Sequence, residues 1–161
     1  MTPRVDSAAL VIPAVLSRVS AALVDSEALR EWLPPAGMTG RFEHYDLRPG
    51  GSYRMVLTYV DPPAGGGKAT ADSDVAEGRF IELVRDDRVV QAVDFVSDDP
   101  AYAGTMTMTW SVAQVDGGTR VEMTARDVPS GISPEDHRAG MQSSLENLAA
   151  YLGDQPRNSA D

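Results

Sequence analysis

The segment SPEDHRAGMQSSLENLAAYL, residues 133–152, constrains the fold of this chain more than any other stretch. Ser133 is a good N-cap, Pro134 suits the first helical position, and Glu135 and Asp136 suit the positive end of a helix dipole. Met141, Leu145, Leu148 and Leu152 recur at spacings of four, three and four, which puts them on one helical face. Gly153 is expected to stop the helix and Pro156 to prevent its resumption. A helix with such an apolar stripe needs a broad apolar surface to lie against.

The preceding sequence supplies strands for that surface. Residues 8–12 (AALVI) read as a first short strand, ended by Pro13. Residues 15–24 carry Val15, Val19, Ala22 and Leu23 at helical spacing. A second short helix, SEALREWL, is capped by Asp25 or Ser26, buries Leu29, Trp32 and Leu33, and ends at Pro34-Pro35. From Met38 the period changes to two. Strands are expected at 39–47, 52–59, 75–84, 88–96, 104–115 and 119–127. Arg48-Pro49-Gly50-Gly51, Asp86-Asp87, residues 98–101 and Asp116-Gly117-Gly118 mark turns, and residues 61–73 read as a loop. Tyr53, Met55, Leu57 and Tyr59 share one face, as do Met106, Met108, Trp110 and Val112. Ser52, Arg54 and Thr58, and Thr105, Thr107, Thr109 and Ser111, take the opposite one. Val121 and Met123 point inward. The expectation is an α+β fold: a curved, seven-stranded antiparallel sheet wrapped around the long C-terminal helix, with two short helices after strand one. Residues 1–153 would form one domain and 154–161 a disordered tail.

Charge and composition narrow the function. The chain has 24 acidic and 14 basic residues, a net charge of −10, and the basic residues are scattered. Phosphate-neutralising patches are therefore not expected, nor nucleic-acid or anionic-membrane partners. No apolar run approaches the roughly 20 residues of a membrane span. Pro13 and Arg18 interrupt the apolar residues 8–24, against a signal peptide. The absence of cysteine removes disulfides, thiolate metal sites and thiol catalysis, and fits a cytoplasmic location.

Four stretches together carry a family resemblance: Leu23-Val24-Asp25-Ser26-Glu27-Ala28-Leu29 with Trp32; Asp46-Leu47-Arg48-Pro49-Gly50-Gly51; Gly78-Arg79-Phe80-Ile81-Glu82; and Val115-Asp116-Gly117-Gly118-Thr119-Arg120. Through them the chain resembles the START-like (SRPBCC) superfamily, and within it the branch similar to the activator of the heat-shock protein 90 ATPase. The resemblance implies a helix-grip fold with a cavity between sheet and terminal helix. It does not settle function, since such folds include ligand carriers, polyketide cyclases and chaperone regulators. The shared glycines serve turns, with Gly78 allowing a bulge or close packing. Three positions depart from the family pattern. Ser20 stands where relatives often carry a large aromatic, Val15 replaces a common proline, and Met141 replaces a frequent aromatic after Gly140. The smaller or softer side chains would enlarge the cavity or make it adaptable, unless neighbouring methionines fill the space.

The first functional expectation is binding of a small apolar molecule between sheet and helix. The expected lining is Met55, Leu57, Gln91, Phe95, Met106 and Met108, with Trp110, Met141 and Leu145. Gln91 shares its face with Val93 and Phe95 and would orient a guest or bond a neighbour. The second expectation is a cyclase-like enzyme using His44, His137, Asp94 or the tyrosines, which requires two of them to converge in one cavity. His44 shares a face with Phe42 by simple alternation and His137 lies one turn before Met141, yet both are expected as ordinary surface or rim residues, and Asp94 is expected outward. The third is regulation of a chaperone ATPase through an outer surface; a homodimer or chaperone partner stays open. No cofactor is implied, and two histidines make no metal site. The acidic pairs Asp72/Asp74, Asp86/Asp87 and Asp98/Asp99 are read as turn residues. AGGGKAT, residues 64–70, is not a phosphate loop, because Pro62 replaces the first glycine and Ala69 follows Lys68.

Overall fold

The computed structural model describes residues 4–34, 37–60 and 73–154. Residues 61–72 of the expected 61–73 loop, with the AGGGKAT segment and Asp72, and residues 155–161 of the expected 154–161 tail lie outside the described residues, whereas Ser73 begins β4 and Asp154 ends α3. The elements run β1 (Val5–Ile12), α1 (Leu16–Ala22), α2 (Ser26–Trp32), β2 (Met38–Tyr45), β3 (Ser52–Tyr59), β4 (Ser73–Val84) and β5 (Arg88–Phe95). After a 3₁₀ turn at Pro100–Tyr102 come β6 (Thr105–Val115), β7 (Gly118–Arg126) and α3 (Pro134–Asp154). The seven strands form one antiparallel sheet in the order β1-β7-β6-β5-β4-β3-β2. This is the α+β helix-grip architecture. Short turns join β2 to β3, β4 to β5 and β6 to β7 as antiparallel neighbours, and β3 pairs antiparallel with β4 although residues 60–72 separate them. β1 then closes on β7, with Ile12 opposite Thr119 and Val5 opposite Arg126.

The β6–β7 turn shows how tightly that closure is made. Gly117 and Gly118 have φ of 90° and 144°, and a Cβ on Gly118 would lie 2.0 Å from the Ile12 carbonyl oxygen. Only glycine turns the chain there and lets β1 end against it. Asp25 caps α2 by accepting from the Glu27 amide at 3.0 Å. Trp32 is fully buried, donates from Nε1 to the Ala22 carbonyl at 3.0 Å, and meets Trp110 edge-on at 5.3 Å. That pair fastens the two short helices to β6.

The terminal helix begins where expected. It runs one residue past Gly153, within the ordinary fraying of a helix end. Its main neighbours are β1, α2 and α1 rather than the middle of the sheet. Ser144 Oγ donates to the Leu33 carbonyl at 2.8 Å and Asn147 Nδ2 to the Pro34 carbonyl at 2.9 Å. Both acceptors sit at the C-terminal end of α2, where carbonyls lack helical partners. Arg18 donates to the Leu152 carbonyl at 3.0 Å, tying α1 to the last turn of α3.

Two register shifts set which side chains face inward. One lies between Phe42 and His44 in β2, the other between Phe80 and Glu82 in β4. The first overturns the strand face expected for His44. Phe42 stays on the inner face, while His44 pairs with Arg54 on the outer face, is exposed, and meets Ser52 Oγ at 3.2 Å. One extra residue reverses every later side chain in a strand. The rest of that outer face is ionic, with Arg54 held between Glu43 and Glu77.

Candidate functional site

Because α3 leans on β1, the middle of the curved sheet arches over open space. The cavity there has a volume of about 450 Å³. Its sheet wall carries Met55 and Leu57 from β3, Gln91 and Phe95 from β5, and Met106, Met108 and Trp110 from β6. Leu23, Leu29 and Leu33 close one end from the short helices. His137, Gly140, Met141 and Ser144 form the α3 wall. Of the nine residues expected as lining, eight therefore border one space. Leu145 does not. It is fully buried one turn beyond Met141, at the level where Ser144 and Asn147 bind the end of α2 and the groove is filled.

An aromatic group makes the far wall. Tyr45 and Tyr53 pack on Phe80 with centroids 5.6 and 5.4 Å away, and Phe42 lies 4.8 Å from Tyr45. Gly78 makes room for this, since a Cβ there would sit 2.2 Å from the Tyr53 ring. Close packing, not a bulge, explains that glycine. Tyr53 donates to Gln91 Oε1 at 2.7 Å, so the amide oxygen is satisfied by a neighbour. Tyr45 donates to the Val24 carbonyl, and Tyr59 to Asp74 Oδ2 at 2.8 Å. Burial raises all three phenols, and an Asp74 hydrogen bond helps push Tyr59 up to about 12. They stay neutral donors at ordinary pH.

Asp74 corrects a further expectation. It is not a turn residue but an inward-facing member of β4, buried at 3% exposure on the cavity wall. Asp94 lies outward, exposed, and accepts from Thr105 Oγ1 at 2.6 Å.

The sequence reading missed the most polar corner of the site. Asp6 lies on the inner face of β1 with Ala8, Leu10 and Ile12 and is only 4% exposed. It accepts from Arg4 Nε at 3.2 Å and Nη2 at 2.8 Å, and stands 2.8 Å from His137 Nδ1. Burial pushes the Asp6 carboxyl up, but the hydrogen bonds from Arg4 and His137 outweigh it and hold the group below its ordinary value. The available signal was alternation: extending the first strand by two residues past Ala8 puts a carboxylate on the buried face. His137 and the three tyrosines thus share one cavity, while His44 and Asp94 stand outside it. Among the described residues no cluster of three His, Asp or Glu side chains is placed to hold a metal, and no helix is long and apolar enough to cross a membrane.

A family model described as "Activator of Hsp90 ATPase homolog 1-like protein" matches residues 13–153. The chain belongs to this family. No curated protein matches it significantly. Solved structures do. A Chromobacterium violaceum protein is 30% identical over 96% of this chain and 100% of its own, with a TM-score of 0.82. A Rhodobacter sphaeroides protein is 19% identical over 94% of this chain and 93% of its own, at 0.73. A protein of the dynemicin biosynthetic locus is 18% identical over 93% of this chain and 47% of its own, at 0.68. The last two bear on fold alone.

The departures from the Hsp90-activator-like pattern fall differently from expectation. Met141 borders the cavity, but Ser20 does not. Its hydroxyl accepts from the Asp86 amide at 2.8 Å, supporting a turn in which Asp86 holds a φ of 60°. Val15 is exposed ahead of α1. Neither enlarges the space under the sheet.

Proposed function

We propose that this protein binds a small, mostly apolar molecule in the cavity between the sheet and α3, with residues 1–153 acting as one binding unit. The observation that carries the reading is the cavity itself. Its volume of about 450 Å³ lies in the range of roughly 300–1,000 Å³ typical of small-molecule sites. Met55, Leu57, Phe95, Met106, Met108, Trp110 and Met141 are the contacts proposed for the guest, and Gln91 offers its remaining amide N–H groups. Methionines adapt their shape at little cost, which suits a site taking related apolar guests. A cytoplasmic setting without nucleic-acid or membrane partners is part of the proposal, in keeping with the charge of −10 and the lack of cysteine.

A chaperone-regulating role is the second reading, favoured by the family description. The exposed large hydrophobics that would serve it, such as Val11, Leu47, Val60 and Ile81, are spread over separate strands and turns. The cyclase-like alternative has less support, since the three cavity tyrosines already spend their hydroxyl hydrogens on protein acceptors.

Native mass spectrometry of the full chain purified from cells tests the proposal. A bound small molecule, released on denaturation, is expected, together with saturable binding of naphthalene at one site. Unliganded mass alone and no naphthalene binding would overturn it.

A further inference from the structure

The corner formed by Arg4, Asp6 and His137 is more than a structural tie. Asp6 is buried and held ionised by the guanidinium of Arg4, whose Nη1 also reaches the Pro129 carbonyl at 3.5 Å. An ionised carboxylate cannot donate. The hydrogen between it and the imidazole therefore sits on His137 Nδ1. In the neutral ring this leaves Nε2 with a lone pair. His137 borders the cavity and its Nδ1 is engaged by Asp6, so Nε2 is the ring nitrogen left to meet a guest. Nearby Gly140 faces open space, since a Cβ added there meets nothing within 4 Å. A guest can thus reach this end of α3.

We infer that His137, oriented by Asp6, is a hydrogen-bond-accepting anchor for the hydroxyl of an otherwise apolar guest, a phenol or an enol. The inference rests on the cavity binding proposed above and adds the polar feature of its ligand. An anionic guest fits less well. No lysine or arginine lines the cavity among the described residues, whereas Asp74 and Asp136 do. A neutral hydroxyl meets the accepting nitrogen without adding charge to that wall. The apolar body of the guest then lies along Met141 and the methionines of β6.

The experiment compares 2-naphthol with naphthalene, two probes of one skeleton that differ by the hydroxyl. Titration of the wild-type protein is expected to give about tenfold tighter binding of 2-naphthol, the upper end for one net hydrogen bond. In His137→Phe and Asp6→Asn the affinity ratio is expected to fall to about one. The imidazole nitrogen chemical shifts of unsubstituted protein give a second readout that does not depend on a variant folding. They should report the Nδ1–H form, and 2-naphthol but not naphthalene should move the Nε2 signal. An equal affinity ratio in wild type and both variants, or an Nε2 signal indifferent to 2-naphthol, would overturn the anchor and leave the cavity reading standing. Failure of both probes to bind wild type would overturn the cavity reading and the anchor with it.

Discussion

The two halves of α3 face the same sheet and yet do opposite things. From Leu145 to Leu152 the apolar stripe is buried solid, with Leu145 and Leu148 at 0% exposure among Ile12, Val19 and Val121. From Asp136 to Ser144 the same helix borders empty volume. The difference lies in what stands opposite. The C-terminal half has α1, α2 and β1 close by, bound to it through Arg18, Ser144 and Asn147. The N-terminal half has the arch of β3 to β6 opposite, with the cavity between them. A hollow protein needs one region packed well enough to hold the other open.

Truncation should expose that contrast most sharply. Leu148→Ala removes atoms from a filled site and should cost about 4–5 kcal/mol in urea unfolding, whereas Met108→Ala, beside existing space, should cost about 2 kcal/mol. Equal costs would break the distinction between the halves. Gly78→Ala drives a methyl into the Tyr53 ring and should cost about 1–3 kcal/mol while loosening Gln91; unchanged stability would show that the aromatic wall yields freely. Ala76→Leu, which grows into the cavity from β4, should weaken naphthalene binding about tenfold, or 1.4 kcal/mol, with little loss of stability. A loss of stability comparable to Leu148→Ala would mean that end is packed after all.

The smallest effect concerns acid. Asp6 has a lowered folded-state pKa, so its stabilisation is complete above the unfolded value of 3.8 and is lost as pH falls through the lower folded one. Asp6→Asn should flatten that part of the stability profile. An unchanged acid slope would separate Asp6 from the stability of the cavity corner.

The architecture was legible because its signals are local and repeated: alternation in β3 and β6, the glycine turns, and the capped terminal helix. The cavity lining followed from the same alternation wherever strands are regular. The surface position of His44 agrees with expectation, but its strand face does not, because one shifted residue in β2 reverses the strand and nothing in the string RFEHY marks the shift. Asp74 looked like a turn residue because acidic and small residues precede it, although β4 begins at Ser73. Asp6 escaped because its partners, Arg4 excepted, come from α3, more than a hundred residues away. The family pattern leaves open whether Ser20 enlarges the cavity, whereas its hydroxyl supports the turn after β4.

The hydrogen bonds from Ser144 and Asn147 to the end of α2 would also govern how the proposed guest gets in. Lifting α3 as a rigid rod would strip partners from the Leu33 and Pro34 carbonyls and drag the short helices along. A swing of its first turns about the anchored half would break neither bond. Amide exchange should then be faster across 134–140 than across 145–152, and a bound guest should slow the former. The His137–Asp6 contact is what ties those first turns to β1.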